Sequence, residues 1–265
     1  MTVAEALRVI DAREARLLLA SVTGFSEASL LSSMERALAP DVSDEFIKRA
    51  ERRKKGEPIA YIVGSKEFYS LELSVNPAVL IPRPETELLV DLALERRPAT
   101  VLDLGTGSGA IALAIKKHLP SARVCAVEAS AAALAVARRN AMKHNLAVDF
   151  VHARWFEGVG DRRFDVIVSN PPYVAAGDPH LKDLGYEPQS ALVSGADGLD
   201  AIREIAPQAP RHLAPGGWLL LEHGIGQDGK VRSLLGTAGL ESVTSWPDLA
   251  GIPRVCGASF RSGVK

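Results

Sequence analysis

The chain has 265 residues, a formal net charge of −1, 47% hydrophobic residues and 24% charged residues. This balance is ordinary for a globular protein with one large and one small domain, and it argues against disorder and against a general nucleic-acid-binding charge. No apolar run approaches the roughly 20 residues that cross a bilayer, and the N-terminus lacks a signal-peptide pattern, so we expect a cytoplasmic protein.

The cysteines and histidines predict neither a disulfide nor a metal site. Cys125 and Cys256 each lie in an apolar, strand-like stretch, which favours buried reduced thiols. The six histidines show no H-x-x-x-H or H-E-x-x-H spacing. We therefore expect no metal cofactor.

The first sixty residues predict a small helical bundle. Thr2 and Glu5 form a capping box ahead of a helical apolar pattern that Gly24 ends, so one helix is expected there. Further helices are predicted over residues 26–38 and 44–55.

A basic run at residues 48–55, K-R-A-E-R-R-K-K, lies in the third predicted helix. One interpretation is the solvated face and cationic C-terminal end of that helix, which suits the helix dipole. The other is a patch that faces RNA or the ribosome.

Residues 61–80 predict a hairpin and linker, and residues 81–265 alternate between strand and helix patterns. The predicted strands are residues 100–104, 123–127, 148–152, 164–169, 218–222, 241–245 and 255–260, and the predicted helices include 108–118, 130–144, 199–213 and 227–238. The last two strands have no helix between them and must pair as an antiparallel hairpin. The fold class is therefore α/β, a doubly wound, mostly parallel seven-stranded sheet with a small N-terminal helical domain.

Pro82 and Pro84 stiffen the start of the large domain and hold Arg83 between them. The alternative is a plain surface arginine. A cation at a helix N-terminus interacts unfavourably with the helix dipole, and this cost favours a functional role for the arginine. We therefore expect Arg83 to contact substrate.

The segment D-L-G-T-G-S-G-A (residues 103–110) joins the first strand of the sheet to a helix. Its glycines permit positive φ and close approach of a ligand, and the helix N-terminus offers free N–H groups. Glu128, at the end of the second strand, is placed to accept hydrogen bonds from a ribose diol. Because Gly105, Gly107 and Ala110 also fit the dinucleotide pattern, this motif alone does not choose the cofactor.

The segment N-P-P-Y follows the fourth strand of the sheet. Pro171 and Pro172 lack N–H groups, so the loop presents acceptors and few donors. The Asn170 side-chain oxygen and the Pro171 carbonyl would accept both hydrogens of an NH2 group, with the Tyr173 ring against its face. The alternative is a rigid turn after a core strand. An acceptor loop beside a nucleotide-like cofactor favours methyl transfer to nitrogen over hydride transfer.

These motifs resemble the class I S-adenosylmethionine-dependent methyltransferases that modify amino or amide nitrogens. Further matches are G-E-P-I-A-Y-I-V-G (56–64), L-I-P-R-P-E-T-E (80–87), R-W-F (154–156), Y-E-P-Q-S-A-L (186–192) and E-H-G-I-G-Q (222–227). Together they resemble the release factor glutamine methyltransferase (PrmC or HemK) family over nearly the full chain, including its helical N-terminal domain.

The resemblance implies N5-methylation of the glutamine in the G-G-Q loop of peptide-chain release factors, with S-adenosylmethionine as methyl donor. The implied cofactor contacts are Gly105, Thr106, Gly107, Ser108, Gly109, Glu128, Trp155 and Asn170. The implied catalytic residues are Asn170, Pro171 and Tyr173, and residues 170–173 with Arg83 would bind the substrate. The helical domain would recognise the release factor, and we expect a monomer that forms no stable complex with nucleic acid.

Two departures from the family pattern affect the cofactor site. Glu128 stands where the family has aspartate, which moves the carboxylate by about one methylene. Ala153 and Arg154 replace a small polar pair, which weakens the assignment of the adenine contacts. The alternative for Trp155 is that its ring is an ordinary part of the hydrophobic core. Glu187, in the Y-E-P motif, is open between substrate contact and structural capping.

Two other functions fit the same motifs. An adenine-N6 DNA methyltransferase would present an exocyclic amine to the same loop, but the near-neutral charge and the lack of a target-reading domain disfavour it. A non-catalytic cofactor-binding module would keep the fold and lose the chemistry. The intact N-P-P-Y loop disfavours this alternative, because such a module has no need of it.

Overall fold

The computed structural model describes residues 1–261, which form two compact units, the first of residues 1–65 and the second beginning at Lys66. Ser65 begins the hairpin that the sequence predicts within residues 61–80, so nearly all of this hairpin belongs to the second unit.

The first unit contains five helices: α1 (Val3–Ala6), α2 (Ala12–Thr23), α3 (Glu27–Leu31), α4 (Pro40–Lys54) and α5 (Ile59–Val63). The Thr2–Glu5 capping box is present, and Gly24 ends α2 in the left-handed conformation. Leu18, Leu19 and Phe46 are among the fully buried side chains of its core. This hydrophobic burial supplies the stability that such short helices lack in isolation.

The prediction of one continuous helix up to Gly24 is wrong, because Asp11 starts a second helix. Its carboxylate accepts hydrogen bonds from the backbone N–H groups of Arg13 and Glu14, which is the geometry of an N-cap. The predicted helix over residues 26–38 is also shorter, since α3 ends at Leu31. Helix α5 had not been expected as a separate element.

The basic run at residues 48–55 is largely paired with acidic side chains of the first unit. Arg49 binds Glu45, Arg52 binds Glu57, Arg53 binds Glu14 and Lys54 binds Glu51. This pairing supports the interpretation as a solvated helix face.

The second unit begins with a two-stranded hairpin of β1 (Ser65–Phe68) and β2 (Leu71–Ser74). Its main sheet contains β3 (Thr100–Leu104), β4 (Arg123–Glu128), β5 (Asp149–His152), β6 (Phe164–Ser169), β7 (Leu213–Glu222), β8 (Glu241–Pro247) and β9 (Pro253–Ser259). The strand order is β5-β4-β3-β6-β7-β9-β8, in which β9 pairs antiparallel with both of its neighbours, β7 and β8, and the pairs from β5 to β7 are parallel. The predicted fold class is confirmed.

Helices cover both faces of this sheet: α6 (Glu87–Glu95), α7 (Ala110–His118), α8 (Ala131–Lys143), α9 (Asp200–Ile205), α10 (Ala209–His212) and α11 (Asp228–Thr237). Two hydrophobic clusters lie on opposite faces, because successive residues of a strand point to opposite sides, as Val101 and Leu102 do. The predicted helix over residues 199–213 is divided in two. Pro210, which has no N–H, lies in the first turn of α10.

The chain order reverses at β3, which has β4 on one side and β6 on the other. In an open α/β sheet, such a switch point opens a crevice at the carboxyl ends of the strands. None of the helices within residues 1–261 is long and apolar enough to span a membrane.

Candidate active site

The four central parallel strands bring four sequence motifs to one edge of the sheet. Strand β4 ends at Glu128, β3 leads into the glycine loop, β6 leads into Asn170, and β7 ends at Glu222. Because these strands are neighbours in the order β4-β3-β6-β7, the motifs lie side by side along the crevice.

A cleft of about 660 Å³ occupies this edge, a volume typical of small-molecule sites. Nine of the predicted site residues line it: Arg83, Gly105, Thr106, Gly107, Ser108, Glu128, Trp155, Asn170 and Pro172. Gly109, Pro171 and Tyr173 are outside its lining. The cleft thus brings together the glycine loop, the acid after β4 and the start of N-P-P-Y.

The glycine loop has the conformation that its sequence predicts. Gly105 and Gly107 adopt φ of 72° and 57°, which residues with a Cβ rarely adopt. The backbone N–H groups of Gly105 and Thr106 both donate to the Val127 carbonyl, which holds the loop against the end of β4. A Cβ added at Gly107 would meet no atom within 4 Å, so the backbone there is open to a ligand.

Gly109 has a structural position rather than a position in the cleft. It caps α7 with φ of 86°, and an added Cβ would lie 3.1 Å from Leu113 and 3.3 Å from Ala137. Its position does not support the predicted cofactor contact. The small residue instead permits close packing between α7 and α8.

Asp103, the acid that precedes the glycine loop, is fully buried. Its Oδ2 accepts a 2.6 Å hydrogen bond from the Thr106 hydroxyl, and Oδ1 has no partner within the described residues. Burial raises the pKa of Asp103 to about 7, and the hydrogen bond from Thr106 opposes this effect. The sequence motif predicted no role for Asp103 itself.

Glu128 is held at the cleft by two backbone donors. Its Oε2 accepts from the Gly107 N–H at 2.9 Å, and its Oε1 accepts from the Ser130 N–H at 2.9 Å. A carboxylate offers about four acceptor positions, so both oxygens keep capacity for further donors.

The Trp155 ring lines the cleft next to Gly105, with its Cζ3 3.4 Å from the position of an added Gly105 Cβ. Its indole N–H donates to Glu204 at 3.0 Å, and Arg154 binds the other oxygen of the same carboxylate. The backbone at Trp155 has φ of 48°, an unusual value for an aromatic residue. The ring therefore has a fixed place at the cleft wall while also packing partly against the core. Nothing in the sequence pattern singled out Glu204.

The Asn170 side chain is oriented by Thr86. Its Nδ2 donates to the Thr86 Oγ1 at 3.1 Å, so the amide nitrogen points toward Thr86 and Oδ1 remains as the acceptor end. The residue before it, Ser169, donates to the Leu104 carbonyl at 2.7 Å and ties the end of β6 to β3. Pro171 is buried, whereas Pro172 lines the cleft.

Tyr173 is held at both ends by the E-H-G-I-G-Q segment (residues 222–227). Its hydroxyl donates to Glu222 Oε1 at 3.3 Å, and its backbone carbonyl accepts from Gln227 Nε2 at 3.0 Å. Burial, followed by the Glu222 carboxylate, raises the pKa of Tyr173, which therefore stays protonated. Burial raises the pKa of Glu222 to about 7.

Glu187 fixes the segment that carries Arg83. Its Oε2 accepts from the Ile81 N–H at 3.0 Å, and Oε1 forms an ion pair with the Arg83 guanidinium. The Glu187 side chain is 3% exposed and that of Arg83 is 31% exposed. Glu187 therefore orders the proline-rich segment, and Arg83 keeps an accessible part at the cleft.

Two family models match the chain. The PrmC N-terminal domain model matches residues 4–64, and the methyltransferase small domain model matches residues 84–184. A release factor glutamine methyltransferase from Xylella fastidiosa (strain Temecula1) is 48% identical over 259 residues, which cover 95% of this chain and 94% of the relative. The chain belongs to the release factor glutamine methyltransferase family.

Other members of the release factor glutamine methyltransferase family match almost as fully. The Pseudomonas aeruginosa member is 48% identical and covers 91% of this chain and 90% of its own length. A methyltransferase from Pyrococcus furiosus has a TM-score of 0.60 at 22% identity and covers 81% of this chain and 99% of its own, which shows the shared fold. The chain is thus a methyltransferase by family, and the predicted resemblance is confirmed. Within residues 1–261 no group of three or more His, Cys, Asp and Glu side chains could hold a metal ion.

Proposed function

We propose that this enzyme transfers a methyl group from S-adenosylmethionine to the side-chain amide nitrogen, N5, of the G-G-Q glutamine of a peptide-chain release factor. The observation that carries the proposal is the orientation of Asn170. Its Nδ2 is bound to Thr86, which leaves Oδ1 as an acceptor in a cleft shared with the glycine loop. An acceptor at this position suits a substrate that brings an NH2 group.

The residues around the cleft fit S-adenosylmethionine. The exposed backbone of Gly105 to Ser108 would receive its methionine end, Glu128 would accept from the ribose hydroxyls, and the Trp155 ring would lie along the adenine side. When bound, the cofactor supplies an electrophilic methyl group and its own leaving group. Absence of a metal requirement remains a prediction.

The protein must supply positioning, because an amide lone pair is delocalised and weakly nucleophilic. Asn170 Oδ1 and the Pro171 carbonyl would accept the two amide hydrogens and direct the nitrogen toward the methyl group. Alignment of this kind is worth roughly 7–11 kcal/mol of the barrier. As the new N–C bond forms, the methyl–sulfur bond breaks and positive charge on nitrogen strengthens both hydrogen bonds. The nitrogen would then lose one proton to solvent water, because no side chain of the site is assigned as a base.

Tyr173 completes the proposed site from behind the loop. Its hydroxyl and carbonyl are both engaged by residues 222–227, so its ring has a fixed position next to the acceptors. Arg83, held by Glu187, would contact the approaching substrate. The first unit would recognise the body of the release factor.

The deciding experiment locates the methyl group. Purified enzyme, labelled S-adenosylmethionine and a purified release factor are incubated, and tandem mass spectrometry maps the modified residue. We expect the label on the G-G-Q glutamine and none on a release factor with alanine at that position. In a parallel incubation with duplex DNA in place of the release factor, label on the DNA would favour adenine-N6 methylation. Cofactor binding without methylation of either substrate would favour a non-catalytic module.

The partner predictions have separate tests. Exchanging residues 1–65 for an unrelated helical domain should lower kcat/KM for the release factor, and an unchanged value would contradict recognition by this unit. Analytical ultracentrifugation tests the expected monomer, and a filter-binding assay tests the expected lack of stable nucleic-acid binding. A cytoplasmic location remains a prediction.

A further inference from the structure

We propose that Gln227 is a positioning residue that joins three loops at the edge of the sheet and so fixes the N-P-P-Y loop before the substrate binds. The inference rests on the proposed function and extends it to the last residue of the E-H-G-I-G-Q segment. Gln227 is outside the lining of the cleft, so it acts through the backbone that it holds and not by touching the substrate or the cofactor.

The side-chain amide of Gln227 uses both of its polar atoms on backbone groups of three different loops. Its Nε2 donates to the Tyr173 carbonyl at 3.0 Å and to the Asp197 carbonyl at 3.2 Å. Its Oε1 accepts from the Gly224 N–H at 2.8 Å. These partners follow β6, precede α9 and follow β7, so one side chain ties together loops that lie up to 54 positions away in the sequence.

The three hydrogen bonds require a primary amide at this position. The amide has two N–H hydrogens for the two carbonyls and one oxygen for the backbone N–H. If the amide were turned over, its NH2 group would face an N–H donor and its oxygen would face two carbonyl oxygens. An ionised carboxylate has no hydrogen to donate, and a thioether has no N–H or O–H donor. The partners of the amide therefore determine its orientation.

Two glycines allow the backbone to close around this amide. Gly198 has φ of 79°, and a Cβ added there would lie 2.6 Å from Gln227 Nε2 and 2.1 Å from the Tyr173 carbonyl oxygen. A Cβ added at Gly224 would lie 3.0 Å from Gln227 Oε1. Because neither residue has a side chain, both loops approach the amide to contact distance.

The amide is carried by a helix that is fixed in the core. Gln227 is the N-cap residue of α11, and its backbone carbonyl accepts from the Val231 N–H at 3.0 Å. The side chains of Val231 and Leu235, on the buried side of α11, are fully buried. The packing of α11 therefore sets the position of the amide independently of the loops that it holds.

Through these bonds the amide connects the acceptor loop with a second part of the cleft wall. Pro172, which precedes Tyr173, lines the cleft. Residues 194–195 and 200–201, on either side of Asp197, line it too. Without the amide, the Tyr173 carbonyl loses its donor and the loop is free to shift. Because a misplacement of about 1 Å at a reacting centre costs about 100-fold in rate, we expect kcat to be the affected parameter.

The test compares Gln227→Met and Gln227→Glu with the wild type. Both keep the length of the side chain and remove its NH2 group. We expect each to lower kcat about 100-fold near pH 8, while KM for the release factor and the calorimetric affinity for S-adenosylmethionine stay within about threefold of the wild type. The retained affinity also shows that the variants fold. Gln208→Glu is the matched control and should behave as wild type, because the Gln208 amide donates to the Glu204 carbonyl on the exposed surface.

The pH dependence of kcat separates the loss of these hydrogen bonds from general damage. The carboxyl introduced in Gln227→Glu faces two carbonyl oxygens, which raises its pKa. Once protonated, it can donate to one carbonyl and still accept from the Gly224 N–H. The kcat of Gln227→Glu relative to wild type should therefore rise about tenfold, the scale of one restored hydrogen bond, as pH falls from about 8 to about 6. The same ratio for Gln227→Met should stay constant.

The neighbouring titratable groups do not produce this difference between the variants. On the elements that hold the amide, these groups are Asp197 with Arg203 and Lys230, Asp228 on α11, and Glu222 and His223 at the end of β7. The hydrogen bond from Arg203 holds the pKa of Asp197 well below its ordinary value, and burial lowers the pKa of His223. Burial raises the pKa of Glu222 to about 7, but this carboxyl is present in all three proteins, so Gln227→Met controls for it.

Three outcomes would overturn the inference. The first is a kcat of Gln227→Met close to that of the wild type, and the second is a relative kcat of Gln227→Glu that does not rise as pH falls. The third is a loss of S-adenosylmethionine binding in both variants, which would mean that Gln227 supports the whole fold and not the loop. A wild-type enzyme that leaves the release factor unmethylated would instead contradict the proposed function, so the two failures are distinguishable.

Discussion

Replacing Glu222 by glutamine should change the pH dependence of stability, independently of any effect on catalysis. The carboxyl has a pKa of about 7 in the folded protein against an ordinary value of 4.5, because it is buried at the carboxyl end of β7. Between pH 4.5 and about pH 7, the carboxyl therefore keeps its proton in the folded state and has lost it in the unfolded state. In this window the wild type loses stability as pH rises.

The size of the effect follows from the two pKa values. A rise from 4.5 to about 7 corresponds to about 3 kcal/mol of stability lost once pH exceeds both values. Between pH 5 and pH 8, the free energy of unfolding of Glu222→Gln relative to wild type should increase by roughly 2–3 kcal/mol. Packing differences between the two side chains add an offset that does not vary with pH, so the change with pH is the diagnostic quantity.

Urea unfolding followed by tryptophan fluorescence measures this quantity for the second unit alone. The three tryptophans, Trp155, Trp218 and Trp246, all lie in that unit. Glu241→Gln should give no pH-dependent difference from wild type, because its carboxylate is exposed. Parallel pH dependences for wild type and Glu222→Gln would refute the argument, since they would mean that Glu222 titrates at its ordinary pKa.

Three further predictions concern the loop and its supports. Asn170→Ala should abolish turnover while calorimetry shows S-adenosylmethionine affinity within about tenfold, and near-normal methyl incorporation would reject its role. Gly198 has φ of 79°, and in Gly198→Ala the added Cβ would lie 2.1 Å from the Tyr173 carbonyl oxygen. The variant should be less active, and urea unfolding should show a loss of about 2–4 kcal/mol in its free energy of unfolding. Gly216→Ala is its control, since φ is 78° there and the space is open, so an equal loss in both variants would contradict the steric argument. Glu187→Gln should raise KM for the release factor without changing cofactor affinity, because Arg83 loses its ion pair with Glu187. An unaltered KM in steady-state kinetics would contradict this prediction.

The fold of the large domain could be predicted from the sequence because its signals are local and consistent. Strands buried on both faces are continuous apolar runs, and motifs that follow them must lie at one edge of a parallel sheet. The prediction that the glycine loop, Glu128 and Asn170 are neighbours needed no more than this. Their positions around one cleft agree with it.

The supporting contacts could not be predicted, because they join residues distant in sequence. Thr86 and Asn170 are 84 positions apart, and Tyr173 and Glu222 are 49 apart. Glu222 and Glu128 share one sequence feature, since each is an acid at the end of a predicted strand. Only Glu128 was given a role, because the strand that ends at Glu222 had not been connected with the site. The first predicted helix fails for a different reason. Its apolar residues keep a helical spacing past Asp11, but the Asp11 side chain caps a new helix there, and this local capping interaction divides the predicted helix in two.

The chain that follows Tyr173 leaves the site and returns to it at a fixed place. Val174 and Val193 form a parallel bridge, and Ala176 donates to the Gly195 carbonyl at 2.7 Å. Glu187 is buried inside this excursion, whereas residues 177–186 between the anchors lie mostly at the surface. Because its two ends are anchored by these bonds, this ten-residue stretch should accept sequence changes in a protein-engineering experiment while the reaction centre keeps its architecture.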